Sequence, residues 1–305
     1  MLPQITQAQE RYEEPSWGLR AFAGEKYQNF DIIDGEGLTA SFNPTSKNLA
    51  GIGYSHQYFN VDLGVRLRTR HDDQTKRFDL QTSALYKGHF LDLIAKRYEG
   101  FVVTIPGLSD FREDILSSVL GLNYLKFKNK EAVDLMAIKS GRLTHKSKGS
   151  LAYGGFFSYN NIKADSAIVP FEEDFSPETR IEQLQVGTTG LQIGYFHRLW
   201  IANRLYLFGA LITGLGLNFG TIHATGDYQP TFSPGVRLQA KAGVGFVQER
   251  YSLSFISDQS AYALALNKNS VYSYGIGALK LAFTWRFYSE NALHHLMRKS
   301  EPKTR

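Results

Sequence analysis

The closing stretch of the chain constrains it most. From Leu279 to Phe287 every odd position is large and apolar (Leu279, Leu281, Phe283, Trp285, Phe287), while the even positions are Lys280, Ala282, Thr284 and Arg286. A period of two is the mark of a strand with one greasy face and one small or charged face. A strand of this kind, ending in alternating aromatics, suits a wall with lipid outside and a wet interior inside, its aromatics lying at the membrane interface. It also suits a half-buried strand of a soluble sandwich, so the rest of the chain has to decide.

Composition removes several classes. Mean hydropathy is −0.27 over 305 residues, yet there are 17 Tyr, 21 Phe and 28 Gly. That mix is expected where apolar and polar side chains alternate, and it is less greasy than a helical membrane protein. The most apolar run, 205–219, follows Arg204, contains Gly209, Gly214, Gly216 and Asn218, and is too short for a spanning helix. The absence of cysteine excludes disulfides, thiolate metal sites and cysteine nucleophiles. A net charge of +5 without an RNP-like motif, finger spacing or basic helix gives no support to nucleic-acid binding. Residues 1–14 are polar and irregular and lack the basic and apolar regions of a signal peptide, so an exported protein of this sequence has already lost its leader.

Period-two runs recur along residues 15–288. They begin at Trp17, Leu19, Ala21 and Ala23, continue through Ile52 to Tyr58, Val61 to Leu67, Phe78 to Tyr86 and Phe90 to Val103, and resume in 115–127, 149–159, 181–199, 205–219, 236–247 and 251–264. Short connections are expected near Asn60, Gly88, Asn203 and Glu249, and long ones after 17–24, 90–103, 149–159 and 205–219. Membrane barrels place short turns on the periplasmic side and longer loops outside. The expectation is therefore a transmembrane antiparallel up-and-down β-barrel of about twelve strands, lipid-facing in the bacterial outer membrane, with both termini periplasmic. The 181–199 run changes phase between Val186 and Leu191, which predicts a bulge across 187–190. One long basic segment, 128–148, falls on the short-turn side, as a loose turn, a plug or a docking element for a protein partner. Residues 289–305 form a basic tail that is a second candidate for partner binding.

Several ordered segments resemble an uncharacterised outer-membrane β-barrel family of the Bacteroidota, classed as a domain of unknown function. They are Trp17 in the first strand, Phe42-Asn43-Pro44, Gly51 to Tyr54, Phe78 to Gln81, Arg97 to Phe101, Lys146 to Ser150 and Asp165 to Pro170. The resemblance implies an outer-membrane barrel and brings no activity and no catalytic residues.

Candidate chemistry lies on the inward faces. With Val61, Leu63, Val65 and Leu67 toward lipid, Asp62, Arg66, Arg68 and Arg70 point inward; so do Arg77, Asp79, Gln81 and Ser83 on the next strand and Asp92 and Lys96 on the one after. Arg237, Gln239, Lys241, Lys280 and Arg286 add cations from the closing side. Such a cluster either fills a narrow barrel as an ion-paired network or forms a constriction preferring anions. At about twelve strands filling is favoured, which makes an accessory or scaffolding barrel the first reading and a narrow anion-preferring channel or transporter the second. A surface hydrolase is a distant third: the eight histidines sit mainly at strand ends, turns and the tail, and no Gly-x-Ser-x-Gly elbow occurs, so no catalytic residue is assigned. His71-Asp72-Asp73 and Glu172-Glu173-Asp174 read as solvated loop charge, and no metal or cofactor site is expected. Trp17, Phe283, Trp285 and Phe287 are the expected interface aromatics.

Overall fold

The computed structural model describes residues 17–45, 48–56, 58–66, 75–129, 148–169, 175, 179–224, 227–248, 250–265 and 270–287. Thirteen strands follow in chain order: β1 (Trp17–Ile33), β2 (Thr39–Asn43), β3 (Asn48–His56), β4 (Phe59–Arg66), β5 (Lys76–Tyr86), β6 (His89–Ile105), β7 (Leu108–Phe127), β8 (Lys148–Lys163), β9 (Ile181–Ala202), β10 (Leu205–Ala224), β11 (Asp227–Val247), β12 (Tyr251–Ala265) and β13 (Val271–Phe287). All pair antiparallel in one sheet, and β1 closes it against β13 from Trp17↔Phe287 to Ile33↔Val271. A closed ring leaves no sheet edge, the condition for a β-structure to sit in lipid with its backbone satisfied.

The ring is not uniform in circumference. β2 and β3 run in the same direction along one edge of β1, β2 against residues 30–33 and β3 against residues 17–25, so they are two halves of one broken strand. At the end that holds Trp17 and Phe287, called proximal below, the wall passes from β3 through β4 and β5 to β6. At the distal end β2 pairs directly with β6 through Ser41↔Thr104 to Asn43↔Val102. The β4–β5 hairpin is thus a wedge in the proximal wall alone, and the barrel narrows from twelve strands to ten.

The point of the wedge is stitched. Thr45 and Thr75 exchange backbone-to-hydroxyl hydrogen bonds of 2.9 and 3.1 Å, and the Thr75 hydroxyl donates to the Gly100 carbonyl at 2.8 Å. Gly100 has φ +85° and sits at the β6–β7 register shift between Glu99 and Phe101. Below it Ile94, Lys96 and Tyr98 face the lumen; above it Phe101, Val103 and Ile105 do. This bulge lies just beyond the place where Arg97 and Glu99 interrupt the outward apolar face. Arg97 is exposed, and Glu99 accepts from Lys76 at 2.7 Å on the outer surface.

Outside, the wall carries an apolar belt of Leu19, Ile52, Leu63, Leu122, Leu151, Ile193, Leu211, Leu215, Val236, Leu253 and Leu281, all strongly exposed. Its proximal rim is aromatic. Trp17 stacks on Phe287 at 4.0 Å, and the ring continues through Tyr54, Phe59, Tyr58, Tyr86, His89, Tyr124, Tyr195, Tyr251, Phe283 and Trp285. An apolar band bordered by an aromatic girdle is the outer surface of a membrane barrel, and it settles the choice between barrel and soluble sandwich. Above the belt the outward faces turn polar, with Tyr27 donating to Gln259 across Gly277 and Asp31 beside Ser273.

Three expectations need correction. Register runs unbroken through 187–190, so there is no bulge there. Leu184 and Val186 face inward and Leu191 and Ile193 outward because the inside itself changes from apolar to polar along β9. Nor do most distal loops exist at the expected length: β6 runs to Ile105 and turns at 106–107, and β10 and β11 extend to within two residues of each other. Outside lipid a strand needs no apolar face, so its polar distal half reads as loop. The connection 164–180 is long, as expected, and its Ile168, Val169 and Phe175 are buried in the mouth. The β3–β4 turn falls two residues earlier than expected, before Phe59. Residues 1–14, the segment 130–147 and the tail 289–305 lie outside the described residues.

Replacing Gly100 with Val should cost about 1–3 kcal/mol, since it forces a β-branched residue to φ +85° with its Cβ 2.6 Å from the Phe111 ring. Gly37, at φ +87° with open space around it, should lose less on the same change. Urea titration of barrels refolded into lipid vesicles checks the difference, and equal losses would remove Gly100 from the seam's stability.

Candidate functional site

The inward face is layered. The central layer holds the charges, and its first group crosses β3. Arg20 (β1) and Asp62 (β4) both face Gly53 of β3 in register, and because Gly53 has no side chain they meet as an ion pair over it. Lys280 of β13 donates to the other Asp62 oxygen at 3.1 Å. One carboxylate on β4 therefore serves two cations, one from β1 and one from β13.

The second group lies at the seam. Asp79 (β5) is opposite Lys96 (β6), with 3.4 Å between ammonium and carboxylate, and Tyr98 donates to its second oxygen at 2.9 Å. Residues 26–29 of β1 pair with β13 but with neither β2 nor β3. Side chains occupy that gap: Arg77 donates to the carbonyls of Lys26 and Asn48, and Lys96 to that of Tyr27 at 3.1 Å. Buried carbonyls must be paired, and here cations do what a strand would otherwise do.

The third group is a relay on the opposite wall. Arg237 (β11) donates to Gln192 of β9 and, at 2.8 Å, to Gln239; Gln239 donates to Asp258 (β12) at 2.9 Å, and Lys241 to the second Asp258 oxygen at 2.6 Å. The Arg237 guanidinium lies 5.3 Å from the Phe156 ring and 5.4 Å from that of Tyr262, which places cationic charge on aromatic faces.

Distal to these charges the lumen is an apolar core. Phe30 stacks on Phe42 at 4.3 Å and meets Phe101 edge-on at 5.4 Å, and Ile115, Ile162, Val186, Ile222 and Leu264 close around them. Opposite walls touch: Tyr274 of β13 shares a 2.6 Å hydrogen bond with Ser158 of β8, and Asn160 of β8 donates to Tyr272; Gln28 of β1 also donates to Ser117 of β7, past β2 and β6, at 2.5 Å. On the proximal side Phe90, Leu125, Phe127, Phe196, Tyr206 and Phe208 form a second apolar cluster against part of the wall. Two cavities remain among the charges, one lined by Lys26, Asp79, Lys96 and Asp258, the other by Arg20, Asp62 and Lys280, each with room for no more than a few waters.

Asp62, Asp79, Asp92, Lys96, Arg237, Lys241 and Lys280 thus all lie inside as the alternation predicts, with Gln81 and Arg77 beside them. Asp92 stands apart, its Oδ1 without a hydrogen bond. The Arg66 side chain and residues Arg68 and Arg70 lie outside the described residues, so the expected arginine constriction is represented by Arg77 alone, and Arg77 caps the wall. Arg20, Lys26, Gln192 and Asp258 are missed by the sequence reading. For Arg20 and Lys26 the signal was present, because the inward even positions of β1 continue from Arg20 through Lys26 to Gln28.

Asp62→Asn should destabilise the barrel by about 3–5 kcal/mol by stranding Arg20 and Lys280, and adding Lys280→Met should recover part of the loss. Lys76→Met, at the exposed Lys76–Glu99 pair, should leave the unfolding midpoint in place. A double-mutant cycle by urea unfolding reads both, and additive losses at Asp62 and Lys280 would dissolve the shared ion pair.

Among solved structures the chain is similar in arrangement to the outer-membrane protease OmpT of Escherichia coli, with 9% identity, 91% of this chain and 98% of that chain covered, and a TM-score of 0.40. The translocator domain of the autotransporter NalP from Neisseria meningitidis gives 15% identity, 88% and 89% coverage and 0.39. The toluene transporter TodX of P. putida gives 7%, 90% and 91%, and 0.25. No curated protein matches the chain. The model of one family, described as a domain of unknown function (DUF4421), matches residues 10–287, and the chain belongs to that family.

Proposed function

We propose that this protein is a closed β-barrel of the bacterial outer membrane that acts as an accessory or scaffolding component, with both termini in the periplasm. The observation that carries the reading is contact across the lumen: side chains of β13 bond to β8, and one of β1 to β7, while Phe30, Phe42 and Phe101 fill the ten-strand end. A lumen bridged in this way offers a solute no continuous water path. The charged layer then holds the wall together, and the work falls to the surfaces: the distal hairpins, the segment 128–148 and the tail 289–305, which are available to a protein partner. The reading assigns no catalytic step. The excess of cations in the central layer favours a narrow anion-preferring channel as the second reading.

Planar-bilayer conductance separates the two. The refolded wild-type barrel should be silent, and a variant with Phe30, Tyr272 and Tyr274 all changed to Ala should conduct, because it removes the cross-lumen fill while leaving the wall. Steady anion-selective current from the wild type would overturn the closed reading. Deletion of 130–147 or of 289–305 should release a co-purifying partner from a barrel that still folds.

A further inference from the structure

The central layer does not balance its charge. On β11 and β12 Arg237 and Lys241 stand with Asp258, two cations with one carboxylate. Around β1, β13 and the seam, Arg20, Lys26, Lys96, Lys280 and Arg77 face Asp62, Asp79 and Asp92 among the described residues, five cations to three carboxylates. The excess centres on Lys26. It is 2% exposed, and its ammonium makes no hydrogen bond or ion pair among the described residues. In register, Gly24 faces Lys280 and Lys26 faces Ala278, so the two ammonium groups are diagonal neighbours on the inner face.

Around Lys26 the wall leaves a space. Its cavity is bounded by Gly277 and Ala278, which have little or no side chain, and adjoins the Lys280 cavity through Gln81, Asp258 and Ala278. Two more donors line it without a partner among the described residues, the Gln81 amide and the Ser260 hydroxyl. The carboxylates that share the lining are already engaged, Asp79 by Lys96 and Tyr98, Asp258 by Lys241 and Gln239. An ammonium, an amide and a hydroxyl converge on one small space in a region of positive excess. A buried ammonium without a partner costs several kcal/mol unless it gives up its proton or something of opposite charge joins it, and the converging donors favour the second.

We propose that this cavity binds a small monovalent anion of halide size, held by Lys26 with Gln81 and Ser260 and favoured by the neighbouring Lys280. Lys26 and Lys96 balance Asp79 and Asp258 in the lining, and Arg20 and Lys280 in the adjoining cavity tip the surroundings positive, which disfavours a cation; the small space disfavours a polyatomic oxyanion. The bound anion is a structural counter-ion that completes the central layer, and it does not depend on whether the barrel conducts.

The test compares wild type with Lys26→Met, refolded in sodium chloride, sodium bromide or sodium gluconate at equal ionic strength; gluconate is too large for the cavity. The wild-type unfolding midpoint should rise in halide, and that of Lys26→Met should be the same in all three salts. Crystals grown in bromide should show an anomalous peak beside the Lys26 ammonium. Equal wild-type midpoints in halide and gluconate with no bromide peak would overturn the proposal, as would a halide effect that survives Lys26→Met. Should that variant fail to fold, the wild-type salt comparison and the bromide peak decide alone. A negative result leaves the closed-barrel reading where bilayer conductance puts it.

Discussion

A sheet in lipid must leave no backbone group unpaired, and this barrel meets that demand while changing its circumference partway up. Closing a twelve-strand wall to ten requires a strand to end inside the wall, and an ending strand exposes carbonyls. The Lys26, Tyr27 and Asn48 carbonyls are taken up by Arg77 and Lys96, and the Gly100 carbonyl by Thr75. Two of the interior's cations, Arg77 and Lys96, are accounted for by that repair. Asp79 then sits where it neutralises the repairing cation, and Tyr98 where it fixes the carboxylate.

Narrowing also explains the layering. Barrel diameter grows with strand number, so the ten-strand end has space for side chains and little else. Large apolar residues fill such a space without needing partners, and the tyrosines among them bring hydroxyls long enough to reach the opposite wall. In the wider half charges are retained because they arrive in groups that satisfy one another. Arg237, gripped by two glutamines and flanked by two aromatic rings, marks the boundary between the layers.

The barrel was legible in the sequence where outside and inside differ in polarity. Leu279 to Phe287 and Val61 to Leu63 show it, and their partners Lys280 and Asp62 were placed correctly from alternation alone. It was illegible where both faces have the same character. On β9, Leu184 and Val186 point in and Leu191 and Ile193 point out on one continuous strand, so the apolar residues change phase and mimic a bulge. On β1 the outward face turns polar at Glu25 just as the inward face is about to turn apolar at Phe30, and the strand seems to end at Gly24. The pairing of β2 with β6 has no local signature, because it depends on where the β4–β5 hairpin stops. The Arg20–Asp62 contact depends on Gly53 lying between them, which only the register reveals.

These features bear on what a charged lumen means. Counting inward arginines suggests a selectivity filter, but a filter needs cations that are accessible and hydrated, held loosely enough to exchange an ion. Arg20 is locked to Asp62, Arg77 to backbone carbonyls, and Arg237 to Gln192 and Gln239. Each is committed to one geometry by a neighbour that would be left buried and unsatisfied if it moved. The same residues that raise the positive charge of the interior are therefore the ones that hold the wall rigid, and among the described inward cations Lys26 is the one without a hydrogen bond or ion pair.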